Sequence, residues 1–189
     1  IQECKREWDR RADAVDFAEI VKMAEKAEPF IAFLDVDDQC FLAPGDMPRR
    51  IQAYCERTGQ RVPKSRGEIA RVVYESLACK YRWAVERLEK DLLRKRVNVL
   101  HIVGGGSKNE MLNQFTADAL NRPVIAGPDE GTVIGNLLVQ AMGVGAIRDL
   151  KELREVVERS FPTRKYLPGN AGDWDPAYER FQRLVGSYS

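Results

Sequence analysis

Apolar residues recur every three or four positions through most of this chain and only briefly run together. Ile69, Val73, Leu77, Tyr81, Ala84, Leu88 and Leu92 fall on one side of a helix. Ser65 with Glu68 three residues on makes a capping-box pattern ahead of them. The spacing therefore predicts one long helix from Ser65 to close to Arg96. Earlier, residues 1–8 read as the end of a helix and Val15–Lys26 as another. Asp46 is placed to cap a further helix with Pro48 in its first turn. Beyond the midpoint, helical spacing returns at Met111, Leu112, Phe115 and Ala119. It returns at Ile134, Leu137, Leu138, Ala141 and Met142, expected as a buried face, and at Leu150, Leu153, Val156 and Val157. A final helix is expected near Pro176–Val185, after a turn-rich arm Y-L-P-G-N-A-G-D-W-D-P.

Short apolar runs predict strands at residues 30–36, F-I-A-F-L-D-V, at Val97–Val103 and at Pro123–Ala126. Pro44-Gly45 and G-P-D-E-G, residues 127–131, mark turns. Strand and helix alternate after residue 97, which argues for an α/β layer architecture.

Composition narrows the function classes. With 189 residues and 44% hydrophobic side chains, the chain can bury the core of one domain or a large part of one. A formal net charge of +1 gives no global argument for nucleic acid or an anionic membrane as partner. Cys4, Cys40, Cys55 and Cys79 stand far apart, and His101 is the only histidine. That pattern argues against structural zinc and for reduced thiols in the cytoplasm. No apolar run approaches the roughly 18 residues of a spanning helix, and no segment reads as a signal peptide. The chain opens without methionine, already inside an amphipathic pattern, as a piece of a longer protein would.

The chemistry concentrates at L-H-I-V-G-G-G-S-K-N-E-M, residues 100–111. Strand, glycine-rich turn and helix start together suit a phosphate or nucleotide: bare backbone approaches a ligand closely, and free N–H groups face an anion. A tight turn with no ligand is the alternative. A Walker loop does not fit, because Ser107 and not glycine precedes Lys108, and Asn109 follows it. A dinucleotide fingerprint does not fit either, since its third glycine would fall on Asn109.

Read onward, V-G-G-G-S-K-N-E-M-L-N-Q-F-T-A-D and V-I-A-G-P-D-E-G-T-V-I-G-N-L-L-V-Q-A-M-G-V-G resemble the C-terminal domain of the FGGY carbohydrate kinases. D-V-D-D-Q-C-F-L-A-P-G-D-M-P and E-S-L-A-C-K-Y-R are similar to the rhamnulokinase branch in particular. The resemblance runs in order from Ile1 to about Gly145. It implies an α/β, ribonuclease H-like lobe of the sugar kinase/actin/Hsp70 superfamily, truncated at its N-terminal end. Residues 1–189 would be the later part of a single C-terminal nucleotide-binding domain. By the same resemblance the parent enzyme phosphorylates the 1-hydroxyl of a ketose such as L-rhamnulose with ATP and Mg2+. L-fuculokinase and xylulokinase are the nearest alternatives, and a silent nucleotide-binding or dimerisation module is a rival of another class.

The resemblance places Gly105 along the nucleotide, with Gly104 and Gly106 allowing that path. It places Asn109 toward adenine, although a first-turn residue bonded to nearby backbone is the alternative. Gln2, in I-Q-E-C, matches a glutamine that contacts ATP. Ser107 reaches ribose or, more in keeping with its position, caps the helix.

Other residues read as structural. Asp35, Asp37 and Asp38 make an exposed acidic turn rather than a calcium loop, since the sixth position is Cys40 and not glycine. His101 is expected to be packed or hydrogen-bonded within its strand. Asp129 and Glu130 favour the dipole of the helix they precede. Arg94, Lys95 and Arg96 form a solvated helix end. No catalytic aspartate is identified, and none of the phosphate loop that the resemblance places in the N-terminal lobe. The magnesium site is thus expected mainly outside this chain, the isolated chain is expected to be inactive as a kinase, and self-association is a risk.

Overall fold

A long central helix organises the molecule because its sequence lets it be buried nearly all round. The computed structural model describes residues 1–10 and 14–186. Its helices are α1 (Gln2–Arg10), α2 (Phe17–Lys26), α3 (Met47–Arg57), α4 (Arg66–Leu88), α5 (Glu110–Leu120), α6 (Gly131–Gly143), α7 (Leu150–Ser160) and α8 (Ala171–Gly186). Its strands are β1 (Leu100–Ile102), β2 (Val124–Ala126) and β3 (Arg164–Tyr166).

The caps read from the sequence are present. The Ser65 hydroxyl accepts from the Glu68 N–H, and the Glu68 carboxylate accepts from the Ser65 N–H. The Asp46 carboxylate caps α3 by accepting from the Arg49 N–H. The apolar stripe of α4 is buried at Ile69 and Val73 but runs into solvent at Ala84, Leu88 and Leu92. Val85 turns inward there instead. The helix also stops short of Arg96: a π-helical turn spans Glu89–Leu93, and Arg94 takes a left-handed conformation. Glu89 explains the stop, since its carboxylate holds both Arg122 and the N–H of Val97.

Helix α4 lies between α2 on one side and α5 on the other. At the α2 crossing, a methyl group on Gly67 would come within 2.4 Å of the Met23 carbonyl oxygen. Cys4, Ile20, Ala24, Ile51, Val72, Tyr74, Cys79 and Phe181 fill this main core. Trp174 of α8 closes it edge-on against Phe30, ring centres 5.0 Å apart.

Residues 30–36 are not a strand. Among the described residues no strand pairs with them, and side chains take the place of a ladder. The N–H of Phe30 donates to Glu75, that of Leu34 to Ser76 and that of Asp35 to Tyr54. Gln60 pairs with both the N–H and the C=O of Phe33, each at 2.8 Å. Buried amides need partners of some kind, and this segment finds them on helices and a loop.

The sheet has the order β1-β2-β3, with β1 and β2 parallel and β3 antiparallel. The first two strands are shorter than expected, and β3 was not expected at all: only its last residue, Tyr166, falls in the turn-rich arm. Leu100, Ile102, Val124, Ala126 and Tyr166 pack with Ala117 of α5 as a second, small core. His101 lies on the opposite, exposed face, so it is not the packed histidine expected. Helix α8 begins at Ala171, earlier than expected. The apolar face expected to be buried on α6 is so only in part: Leu138 is buried, Ile134, Ala141 and Met142 are half-buried, and Leu137 is 65% exposed. Helix α7 likewise buries none of its apolar residues completely. Among the described residues no helix is long and apolar enough to cross a membrane.

Candidate nucleotide site

Two strand-turn-helix units lie side by side, and their turns meet at one edge of the sheet. The first runs from β1 through residues 103–109 into α5, the second from β2 through residues 127–130 into α6. Adjacent parallel strands put both turns at their carboxyl ends, the edge where open α/β sheets receive ligands. Main-chain bonds join the turns: the Gly127 N–H donates to the Ile102 carbonyl at 2.8 Å, and that of Gly104 to Pro128 at 3.0 Å.

Each glycine of the run has a different task. Gly104 has φ +78°, a left-handed value that a side chain resists. Gly105 opens a 3-10 turn, Gly105–Lys108, and a methyl group there would meet no atom within 4 Å. Gly106 is likewise exposed. Beside them Gly131 packs tightly, with Val103 within 3.1 Å of any added methyl. The open space therefore lies at Gly105 and Gly106.

Asn109 is the N-cap of α5, its side-chain oxygen accepting from the Leu112 N–H at 3.0 Å. The Tyr74 hydroxyl of α4 faces the same amide; burial raises that phenol's pKa, and the Asn109 contact opposes the rise. The Asn109 side-chain oxygen is thus engaged by the start of α5. Ser107 is buried and does not cap α5. Its hydroxyl lies 2.7 Å from the Gly104 carbonyl and 2.8 Å from the Asp129 carboxylate. Lys108 pairs with the other Asp129 oxygen at 3.2 Å. These two donors, Ser107 first, hold the Asp129 carboxyl below its ordinary range.

Gln2 is exposed in the first turn of α1. Two residues on, the buried Cys4 thiol is raised to about 11 by desolvation and lies within electrostatic range of Tyr74. Cys4 and Tyr74 belong to the same main core.

Sequence reading missed Asn113. Its side chain is wholly buried and donates to the Ser107 carbonyl at 2.8 Å. Asparagine among the apolar positions of a helix was the available signal. The acidic turn at Asp35–Asp38 holds cations of the protein itself: Lys80 bridges Asp35 and Asp37, and Arg57 pairs with Asp38. Among the described residues no group of His, Cys, Asp or Glu side chains could hold a metal ion.

This arrangement is the fold of the sugar kinases. A ligand-bound xylulose kinase from Lactobacillus acidophilus superposes on 93% of the chain with a TM-score of 0.65 at 15% identity. Plasmodium falciparum glycerol kinase with ADP superposes on 97%, also with a TM-score of 0.65, at 19% identity. The match takes in 35% and 36% of those two chains.

The chain belongs to the FGGY family of carbohydrate kinases, whose C-terminal domain is matched by residues 1–144. Among its relatives, rhamnulokinase of Bacteroides thetaiotaomicron is 42% identical and that of Bacillus subtilis 40%, each over 185 residues. Those matches cover 98% of this chain, which spans 37% of the length of either relative.

Proposed function

We propose that this chain is the ATP-binding portion of a carbohydrate kinase that phosphorylates L-rhamnulose to L-rhamnulose 1-phosphate in the full-length protein. Residues 1–189 form the later part of its C-terminal nucleotide-binding domain. The observation that carries the reading is the unfilled space at Gly105, on a turn braced by its neighbours at the carboxyl edge of parallel strands. Identity of 40% or more to rhamnulokinases supports the choice of sugar. The ADP named for the glycerol kinase of the same fold supports the choice of nucleotide.

Gly104, Gly105 and Gly106 give the nucleotide a path along bare backbone. Asn109, which ends the turn and starts α5, and Gln2 of α1 are assigned to the nucleotide with them. When bound, ATP supplies the phosphoryl group and Mg2+ neutralises its developing charge. The metal and the base for the sugar hydroxyl are assigned, in this reading, mainly to the rest of the enzyme. By itself the chain binds nucleotide weakly and has no kinase activity. A cytoplasmic location belongs to the same reading and agrees with four unpaired cysteines.

Titration of ADP into the chain tests the nucleotide assignment. Saturable binding with a higher melting temperature is expected. Its absence would remove the assignment, and ATP-dependent phosphorylation of L-rhamnulose by this chain alone would overturn the claim of inactivity.

A second property rests on α6. No charged residue occurs from Gly131 to Ile147, yet Val133, Leu137, Val139 and Val144 are more than half exposed. Such a face associates with apolar surface, and self-association of the chain through it is part of the proposal.

A further inference from the structure

We propose that Asp129 is a positioning residue for the nucleotide turn, a role that rests on the nucleotide reading above. Asp129 belongs to the turn after β2, yet both of its carboxylate oxygens serve the turn after β1. One accepts from the Ser107 hydroxyl at 2.8 Å, and the other pairs with the Lys108 ammonium at 3.2 Å. From beneath, Asn113 of α5 donates to the Ser107 carbonyl at 2.8 Å. Ser107 is therefore held at its side chain by one element and at its main chain by another.

Gly105 and Gly106 cannot hold themselves, because glycine has the largest conformational freedom to lose. A turn that is ordered before the ligand arrives spares the ligand that loss. Asp129 provides such order across the two strand ends. Its position just before α6 also suits a helix dipole, but Glu130 is the N-cap residue and makes no side-chain cap bond. The carboxylate is turned to the neighbouring turn instead. Being matched by Lys108 and Ser107, its charge is compatible with a phosphate-bearing ligand nearby.

The test uses Asp129→Ala and Ser107→Ala, singly and together, with ADP as the probe. ADP affinity, ligand-free melting temperature and amide hydrogen exchange across Gly105–Lys108 are measured. Either single substitution is expected to speed exchange in that turn and weaken ADP binding roughly tenfold, as loss of a charge-assisted hydrogen bond would. The double variant is expected to lose less than the sum of the two single losses, because the Ser107–Asp129 contact is removed in both. Asp129→Asn, which still accepts from Ser107, recovers most of the affinity. Melting stays within about 2 °C throughout, which separates positioning from a general loss of structure.

Unchanged ADP affinity or unchanged exchange in Asp129→Ala, or additive losses in the double variant, would overturn the role. So would a fall in melting temperature that accounts for the lost affinity. If the unaltered chain binds no ADP, the nucleotide reading fails and the positioning role with it. That result is distinct from failure of the clasp alone, in which the unaltered chain and its variants bind ADP equally.

Discussion

The N–H of Gly104 donates to the carbonyl of Pro128 at 3.0 Å, so the turns that end two adjacent parallel strands share a main-chain bond. Gly104 reaches that bond with φ +78°, whereas Gly105 next to it has no left-handed φ and no atom within 4 Å of an added methyl group. Alanine at the two positions should therefore act differently. Gly105→Ala is expected to keep the melting temperature while lowering ADP affinity at least about tenfold, because the methyl occupies the ligand's space. Gly104→Ala is expected to lose about 1–2 kcal/mol of stability to backbone strain. Thermal melts and calorimetric titration of both variants separate the outcomes.

Gly67→Ala should be among the most damaging single substitutions. The new methyl would lie 2.4 Å from the Met23 carbonyl oxygen, and that neighbour is backbone, with no flexible end to move aside. Prying α2 from α4 is expected to cost about 3 kcal/mol, read as a lower denaturant midpoint.

Gln60→Ala would strand the N–H and the C=O of Phe33, a residue 1% exposed. A loss of about 2 kcal/mol is expected, and Gln60→Glu, which keeps the acceptor, should lose less. Urea unfolding of the pair measures the difference.

Glu75 gives the chain a pH dependence. Burial pushes its carboxyl from an ordinary 4.5 up to about 7, against the opposing pull of Arg71 at 2.7 Å. Between those values the folded state holds more protons than the unfolded one. Stability therefore falls as pH rises from about 5 to about 7, by on the order of 3 kcal/mol from this group. Glu75→Gln, neutral throughout, should flatten that slope in melts taken across the range.

Self-association through α6 should yield to charge. Val133→Glu with Leu137→Glu places two carboxylates on its open face. Sedimentation is expected to shift toward the monomer with the melting temperature preserved, since neither side chain is buried.

How legible all this was depended on whether a pattern was local. The capping box at Ser65, the cap at Asp46 and the strand-to-helix turn at the glycines involve residues a few positions apart, and each could be read directly. Residues 30–36 misled because an apolar run looks the same whether its amides meet a strand or meet Gln60, Ser76 and Tyr54. The end of α4 misled because its cause, the grip of Glu89 on Arg122, spans 33 positions. Strand β3 lacked an apolar run altogether, since only Tyr166 of its three residues is buried. At the site, the openness of Gly105 was foreseeable from the glycine run. The engagement of Asp129 with Ser107 was not, for it joins turns 22 residues apart.

Helix α5 packs Met111, Leu112 and Ala119 into the main core and Ala117 against the sheet, and its first turn is the end of the glycine loop. With one helix shared between both cores, no seam is left along which the sheet can melt while the helical body stays folded. Calorimetry should then record a single unfolding event. A nucleotide gripping that one helical turn would delay the melting of the whole molecule, so heat resistance itself becomes an assay for occupancy at Gly105.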